Sequence, residues 1–235
     1  MRAQAEPGRG TREIASGRLP RGNTKAPLAI PVGCRVECSA VPDEIEAKFK
    51  VDDFRTVRRS LRAAGAVFVV AVLETDTYYD TPSQAMLDRD CGLRLRRTRR
   101  LRSGEPGYDA RPALTAKGPR RKGENVKSRP EFEARPDDPE ALAYFLAAAG
   151  LVPSFTVQKR RSIYRLGRTA VMLDELPVIG RFVEVEAGSE ASVRRAARRL
   201  GLDSEPITEH YIGLLLRNPE IGSKRPVQVV FGGAV

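Results

Sequence analysis

Carboxylates and cations recur two residues apart along this chain, on segments that alternate polar with apolar. In EIEAKFKV, residues 44–51, Glu44, Glu46, Lys48 and Lys50 share one face, and Ile45, Ala47, Phe49 and Val51 share the other. That is the pattern of a strand with one wet and one dry face. VKSRPEFEA places Lys127, Arg129, Glu131 and Glu133 together. GLRLRR pairs Arg94 with Arg96, QKRRSIY pairs Lys159 with Arg161, and GRFVEVEA pairs Glu184 with Glu186. Lys117 ends ALTAK, and Asp174 lies in VMLDEL. An antiparallel sheet with one solvated face shows polar alternation too. Segregation by sign is a different matter: a solvated face more often mixes signs.

A charged interior explains the segregation. Carboxylates two apart on a strand point the same way and suit a hard divalent cation, Mg2+ or Mn2+. Rows of Arg and Lys suit phosphate oxygens. Unpaired buried charge costs several kcal/mol, so a lumen lined by both signs calls for a metal and a polyanion together. A linear polyphosphate in a narrow tube meets that description.

These charges need strands to hold them. VFVVAVLETDTYYDTP, GLRLRRTRRL, YDARPALTAK, VKSRPEFEA, FTVQKRRSIYRLG, RTAVMLDEL and GRFVEVEAG all read as strands. With EIEAKFKV they make about eight, and sheets of that size often close to remove their edges. Asp52 or Asp53 can cap a helix through about Ala64, stopped by Gly65. Asp138, Pro139 and Gly150 mark a second helix. Ser189 opens a third that runs to about Leu200, and TEHYIGLLLR reads as a last short one.

Residues 1–40 read as a disordered basic arm, with seven basic against three acidic residues. Residues 218–235 read as a loose tail. The 235 residues carry a net charge of +11, which points to an anionic partner. No apolar run reaches membrane length and no signal-peptide core is present, so a cytoplasmic protein without membrane contact is expected. Three cysteines and one histidine make a disulfide framework or a zinc site a poor fit. GPRRKGENVK is not a P-loop, since Glu124 follows Gly123.

The blocks EIEAKF, TDTYYDTP, LRLRR, LTAKGP, RPEFEA, QKRRSIY, LDELPVIGRFVEVE and HYIGLLL stand in the order of the CYTH domain. The chain resembles that family, the triphosphate tunnel metalloenzymes, over residues 43–217. The resemblance implies an α+β fold: an eight-stranded antiparallel β-barrel tunnel with several flanking helices. It implies metal binding by Glu44, Glu46, Glu184 and Glu186, with Asp174 beside them. It implies phosphate binding by Lys48, Arg94, Arg96, Lys117, Arg129, Lys159 and Arg161, and a second acidic pair, Glu131 and Glu133. Lys48 and Tyr78 are its expected catalytic residues. One departure concerns Glu209-His210-Tyr211, where the family often has Lys-Ser-Tyr.

The activity implied is hydrolysis of a triphosphate, inorganic or organic, with Mg2+ or Mn2+. Cyclisation of ATP to cyclic AMP occurs in the same tunnel in other members. Thiamine triphosphate is a third option. Members specific for it carry a tryptophan just before the Arg-x-Arg block, where this chain has Gly92 and no tryptophan anywhere. Outside enzymes, the alternatives are a polyphosphate or RNA-triphosphate sensor, and nucleic-acid binding through RLRRTRRLR. The 6% aromatic content gives the latter few stacking platforms.

Overall fold

The computed structural model describes residues 45–104, 107–119, 130–221 and 226–232. Glu44, Lys127, Arg129 and the 1–40 arm lie outside the described residues.

Alternation becomes pleat. Strands β1 (Ile45–Val51), β2 (Val67–Asp80), β3 (Gly92–Ser103), β4 (Ala113–Lys117), β5 (Glu131–Ala134), β6 (Val152–Leu166), β7 (Thr169–Leu176) and β8 (Gly180–Ala187) form one sheet. Their order is β1-β8-β7-β6-β2-β3-β4-β5, every pair antiparallel. The expected α+β architecture is therefore what the chain forms. The sheet is barrel-like rather than hydrogen-bonded into a closed ring. Among the described residues no ladder joins β1 to β5, and β4 and β5 are only five and four residues long.

The dry faces of β1, β7 and β8 turn outward, onto helices. Helix α1 (Arg55–Ala63) and helix α4 (Glu190–Arg199) cover them. Phe49, Leu61, Leu173, Val183, Val185, Val193 and Leu200 fill that layer. Burying residues of this size stabilises by about 1.5–3 kcal/mol each, and it forces the even-numbered residues of β1 and β8 onto the inner face. The Asp53 carboxylate accepts the Arg55 backbone N–H at the start of α1, and Gly65, at φ +72°, lets the chain turn out of it. Ser189 caps α4, as its position before the helix predicts.

Helix α3 (Pro139–Ala148) is capped by Asp138, whose carboxylate accepts from the backbone N–H of Glu140 and Ala141. A short helix that the sequence did not announce, α2 (Ala85–Asp88), is held by Asp80, which accepts from the Met86 and Leu87 N–H groups.

The C-terminal tail departs from expectation. Val227–Val229 form β9, parallel to β6 at Phe155–Val157. Val227, Val229 and Ile221 join a second core with Phe155, Leu176, Phe182 and Leu215 beneath helix α5 (Tyr211–Leu216). The physical reason is an apolar end to β6: Phe155 and Val157 need a cover that the charged interior cannot give.

Candidate active site: a charged cavity on the inner face of the sheet

From β7 to β3 each strand brings one sign to the inner face, and the sign alternates from strand to strand. From β7 across, the order runs Asp174; Lys159 and Arg161 on β6; Glu74 and Asp76 on β2; Arg94 and Arg96 on β3; Lys117 on β4; Glu131 on β5. The register makes the pairs. Arg96 lies opposite Asp76 and donates to both of its carboxylate oxygens, at 2.6 and 2.7 Å. Arg161 lies opposite Asp174 and grips it in the same two-pronged way, at 2.7 and 2.5 Å, while also donating to Glu184. Lys117 Nζ stands 2.6 Å from Glu131. Lys48, opposite Glu184 across the β1–β8 ladder, pairs with it at 3.3 Å.

A cavity of about 640 Å³ opens onto this lattice, within the size range of small-molecule sites. Glu46, Lys48, Tyr78, Arg94, Arg96, Lys117, Glu131, Lys159, Arg161 and Glu184 all line it, so most residues expected at the site are brought together. Asp174, fully buried, sits behind the wall among Arg161, Lys159 at 3.6 Å and the Tyr211 hydroxyl at 3.1 Å. Glu186 lies further along β8, directly opposite Glu46. Glu133 is not in the wall; it faces Arg135 at 2.7 Å near the surface.

Two carboxylates at the centre were not singled out from the sequence. Glu74, 1% exposed, lies 3.0 Å from Arg96 and 3.2 Å from Lys159, and Asp76 lies between Arg94 and Arg96. The signal was present: Glu74, Asp76 and Tyr78 alternate in LETDTYYD like the pairs that were chosen. Burial pushes the Glu74 and Asp76 carboxyls up, but Arg96 and its neighbours outweigh it, and both sit below their ordinary range. For Arg161, burial works against the charge, and Asp174, Glu74 and Glu184 overcome it.

Tyr211 was the other omission. Its ring centroid is 3.9 Å from Lys48 Nζ and its face packs edge-on against Phe182. The Glu209 carbonyl accepts from Lys48 Nζ at 3.2 Å, and the Ile207 N–H donates to the Lys48 carbonyl at 2.7 Å. Residues 207–211 thus strap Lys48 from one side. Tyr78 lines the same cavity; burial and then Asp76 raise its hydroxyl pKa. Burial and then Asp174 do the same for Tyr211. Both phenols keep their protons at neutral pH, and Tyr211 donates its own to Asp174. At the sequence departure, Glu209 contacts Arg217, and both line the cavity. A cation therefore stands near that mouth, supplied from the end of α5.

The fit of a divalent ion rests on Glu46 and Glu186. They stand directly opposite on adjacent strands, where a hard cation can take oxygen from both carboxylates. Glu184 follows on the same face. Among the described residues no group of three carboxylates is gathered, because Asp174 and Glu184 are turned toward Arg161. A site of one or two carboxylates completed by substrate phosphate is the usual way to hold Mg2+, and these residues fit it.

An antiparallel sheet wrapped around paired rows of acid and base defines a polyanion-binding enzyme fold. The CYTH domain model matches residues 43–211, and the chain belongs to that family. Its members are triphosphatases or cyclases that act on triphosphates with divalent metals. A Methanocaldococcus jannaschii protein provisionally named an adenylate cyclase is 26% identical over 144 residues, 61% of this chain and 75% of that protein. A solved protein of Pyrococcus horikoshii is 26% identical with a TM-score of 0.58, covering 73% of this chain and 98% of its own. A Hippeastrum protein, provisionally an adenylyl cyclase and described as having a dominant triphosphatase activity, shares the fold. It is 16% identical, with a TM-score of 0.56 over 73% of this chain and 94% of its own. No described helix is long and apolar enough to cross a membrane.

Proposed function

We propose that this chain is a divalent-metal-dependent hydrolase of triphosphates bound in the charged cavity. The observation that carries the reading is Arg94. Its guanidinium lines the cavity, donates to Thr115 Oγ1 at 3.0 Å and stands 3.7 Å from Asp76. Its Nε is buried without a hydrogen-bond partner among the described residues. A buried orphan donor is costly, and a phosphate oxygen is the acceptor that such a guanidinium takes best.

In this reading Arg94, Arg96, Lys117, Lys159 and Arg161 hold the phosphate chain, with Arg129, which lies outside the described residues, as a further expected contact. Lys48 is placed by Tyr211 and Glu184 to meet the phosphate nearest the metal carboxylates. Glu46, Glu184 and Glu186, with Glu44 beyond the described residues, would hold Mg2+ or Mn2+. The ion supplies charge neutralisation on the phosphate oxygens. Water attacks the terminal phosphorus, the P–O bond to the bridging oxygen breaks, the diphosphate end leaves with that oxygen and the electron pair, and the proton lost by the water passes to solvent. The fixed cations favour the charge distribution of that transition state. Tyr78, at the cavity wall, keeps its proton and so can donate it in a hydrogen bond to a substrate oxygen.

Tyr79, Leu87, Leu93, Ile212 and Leu216 also line the cavity, beside Asp80, Asp88 and Asp90. These apolar surfaces suit an organic triphosphate, and cyclisation of ATP is the second reading. There the ribose hydroxyl replaces water, and the α-phosphorus is attacked.

The test is an assay of the purified chain with inorganic triphosphate, ATP, GTP and thiamine triphosphate, each with Mg2+ or Mn2+. Phosphate and cyclic AMP are both followed. Phosphate release that falls in Glu46→Gln and Arg94→Gln supports hydrolysis at this site. Cyclic AMP without phosphate release selects the cyclase reading. No turnover of any substrate overturns both.

A further inference from the structure

A second cleft lies on the opposite side of the sheet, between α1 and the outer face of β2, β3 and β6. It encloses about 550 Å³ and shares no lining residue with the tunnel. Arg58 and Arg62 reach it from α1, four residues apart and so on one helical face. Arg102 reaches it from β3. Phe68, Tyr164 and Ser162 form the wall. No acidic side chain lines the cleft, and none of the three arginines has an ion pair among the described residues.

Arg59, Arg99 and Arg198 likewise show no ion pair among the described residues, so the distinction of the cleft is that three such groups meet at one aromatic-walled hollow. In the tunnel Arg96 and Arg161 are clasped by carboxylates, and on the surface Arg55, Arg97, Arg111 and Arg194 each have one. Three guanidinium groups around one hollow without a counter-charge repel one another. The wall is aromatic: Phe68 and Tyr164 meet edge to face, centroids 5.4 Å apart, and the Arg102 guanidinium lies 5.3 Å from the Phe68 ring centre.

We infer that this cleft binds a nucleoside monophosphate. A phosphomonoester carries nearly two negative charges at neutral pH and accepts the paired N–H groups of arginine. Arg58, Arg62 and Arg102 supply that grip, and the Ser162 hydroxyl adds a donor. A flat base packs on the Phe68–Tyr164 wall, since every base has a π-face to offer an aromatic ring. The same phosphate chemistry could be presented by the 5′ end of an oligonucleotide, and the assignment is to the free nucleotide. The inference is independent of the reaction in the tunnel.

The chain has no tryptophan, so Phe68→Trp places a single emitter in the cleft wall; Tyr164→Trp is the second reporter should the first not fold. Titration with adenosine monophosphate is expected to change the emission saturably, with inorganic phosphate competing. Adding Arg58→Gln and Arg102→Gln is expected to weaken binding by about tenfold or more, the loss of charged hydrogen bonds. No response in a folded reporter, or a response that survives both arginine substitutions, overturns the site. Tighter binding of a 5′-phosphorylated decanucleotide than of adenosine monophosphate overturns the assignment to a free nucleotide.

Discussion

Arg94 and Arg96 stand two apart on one strand, yet their surroundings separate their roles. Arg96 is fastened to Asp76 by two short hydrogen bonds and to Glu74 at 3.0 Å, so it braces the lattice as well as facing the phosphate chain. Arg94 keeps a donor directed at no acceptor, so it is the residue with most to offer a ligand. Arg94→Gln is therefore expected to lower kcat on the preferred triphosphate about 100-fold, as loss of a transition-state donor does, with little change in the urea midpoint. A large loss of stability with kcat preserved would assign Arg94 to the scaffold instead. Glu46 belongs to the metal end, facing Glu186. Glu46→Gln is expected to raise the Mg2+ concentration for half-maximal activity by about tenfold or more, judging from the effect of even indirect changes around metals; an unchanged metal requirement would remove Glu46 from that role. At this scale the sequence was informative where a strand showed repeated charges of one kind, as at Glu184 and Glu186. Glu74 and Asp76 carried the same signal in LETDTYYD and were passed over, since only their cross-strand partners Arg96 and Lys159 mark them as the centre. Tyr211 was hidden differently: its ring reaches Lys48 from an element 163 residues away in the chain, and no local pattern encodes that contact.

Elements with their own end signals were legible. Asp138 and Pro139 at the start of α3 and Ser189 before α4 do in the structure what their types predict. The long strands β2 and β6 were equally plain, because VFVVAVL is rich in β-branched and aromatic residues and FTVQKRRSIYRL carries no helix start or stop signal. β9 was not legible, since three residues of VQV carry no pattern apart from their partner. Its contribution is nonetheless specific: Val227 and Val229 are 6% and 0% exposed and complete the core over Phe155 and Val157. Truncation after Ile221 removes two buried valines and the parallel pairing. At about 1.5 kcal/mol or more for each valine, the loss expected is about 3 kcal/mol, read as a lower urea midpoint at neutral pH. An unchanged midpoint would show that β9 only rests on the sheet. The expected drop would explain why a Pro- and Gly-containing tail keeps any apolar pattern at all.

Across the whole molecule, the sheet stores charge as alternating rows: acidic β7, basic β6, acidic β2, basic β3. Sign segregation along each strand, visible in the sequence, becomes sign alternation between strands once the order is known. The rows neutralise one another before any ligand arrives, which is how so many ionised groups remain buried. Glu74 is the hub, touching Arg96, Lys159 and Arg161. Removing one partner of a buried pair leaves the others uncompensated, at about 3–5 kcal/mol, so Glu74→Gln is expected to lose that much at pH 7. The pH dependence follows from the same contacts. Burial alone would raise the Glu74 carboxyl, but the three cations hold it below its ordinary 4.5, and Arg96 and Arg94 hold Asp76 below its ordinary 3.8. As pH falls, the unfolded chain takes up these protons first, so the stability from these groups is complete above about 4.5 and drains away below it. Urea midpoints measured from pH 7 to pH 3 should therefore fall more steeply for the wild type than for Glu74→Gln, and the gap between the two should narrow toward pH 3. Parallel curves would mean that Glu74 titrates alike in the folded and unfolded chain, and that the alternating rows are not what fixes its charge.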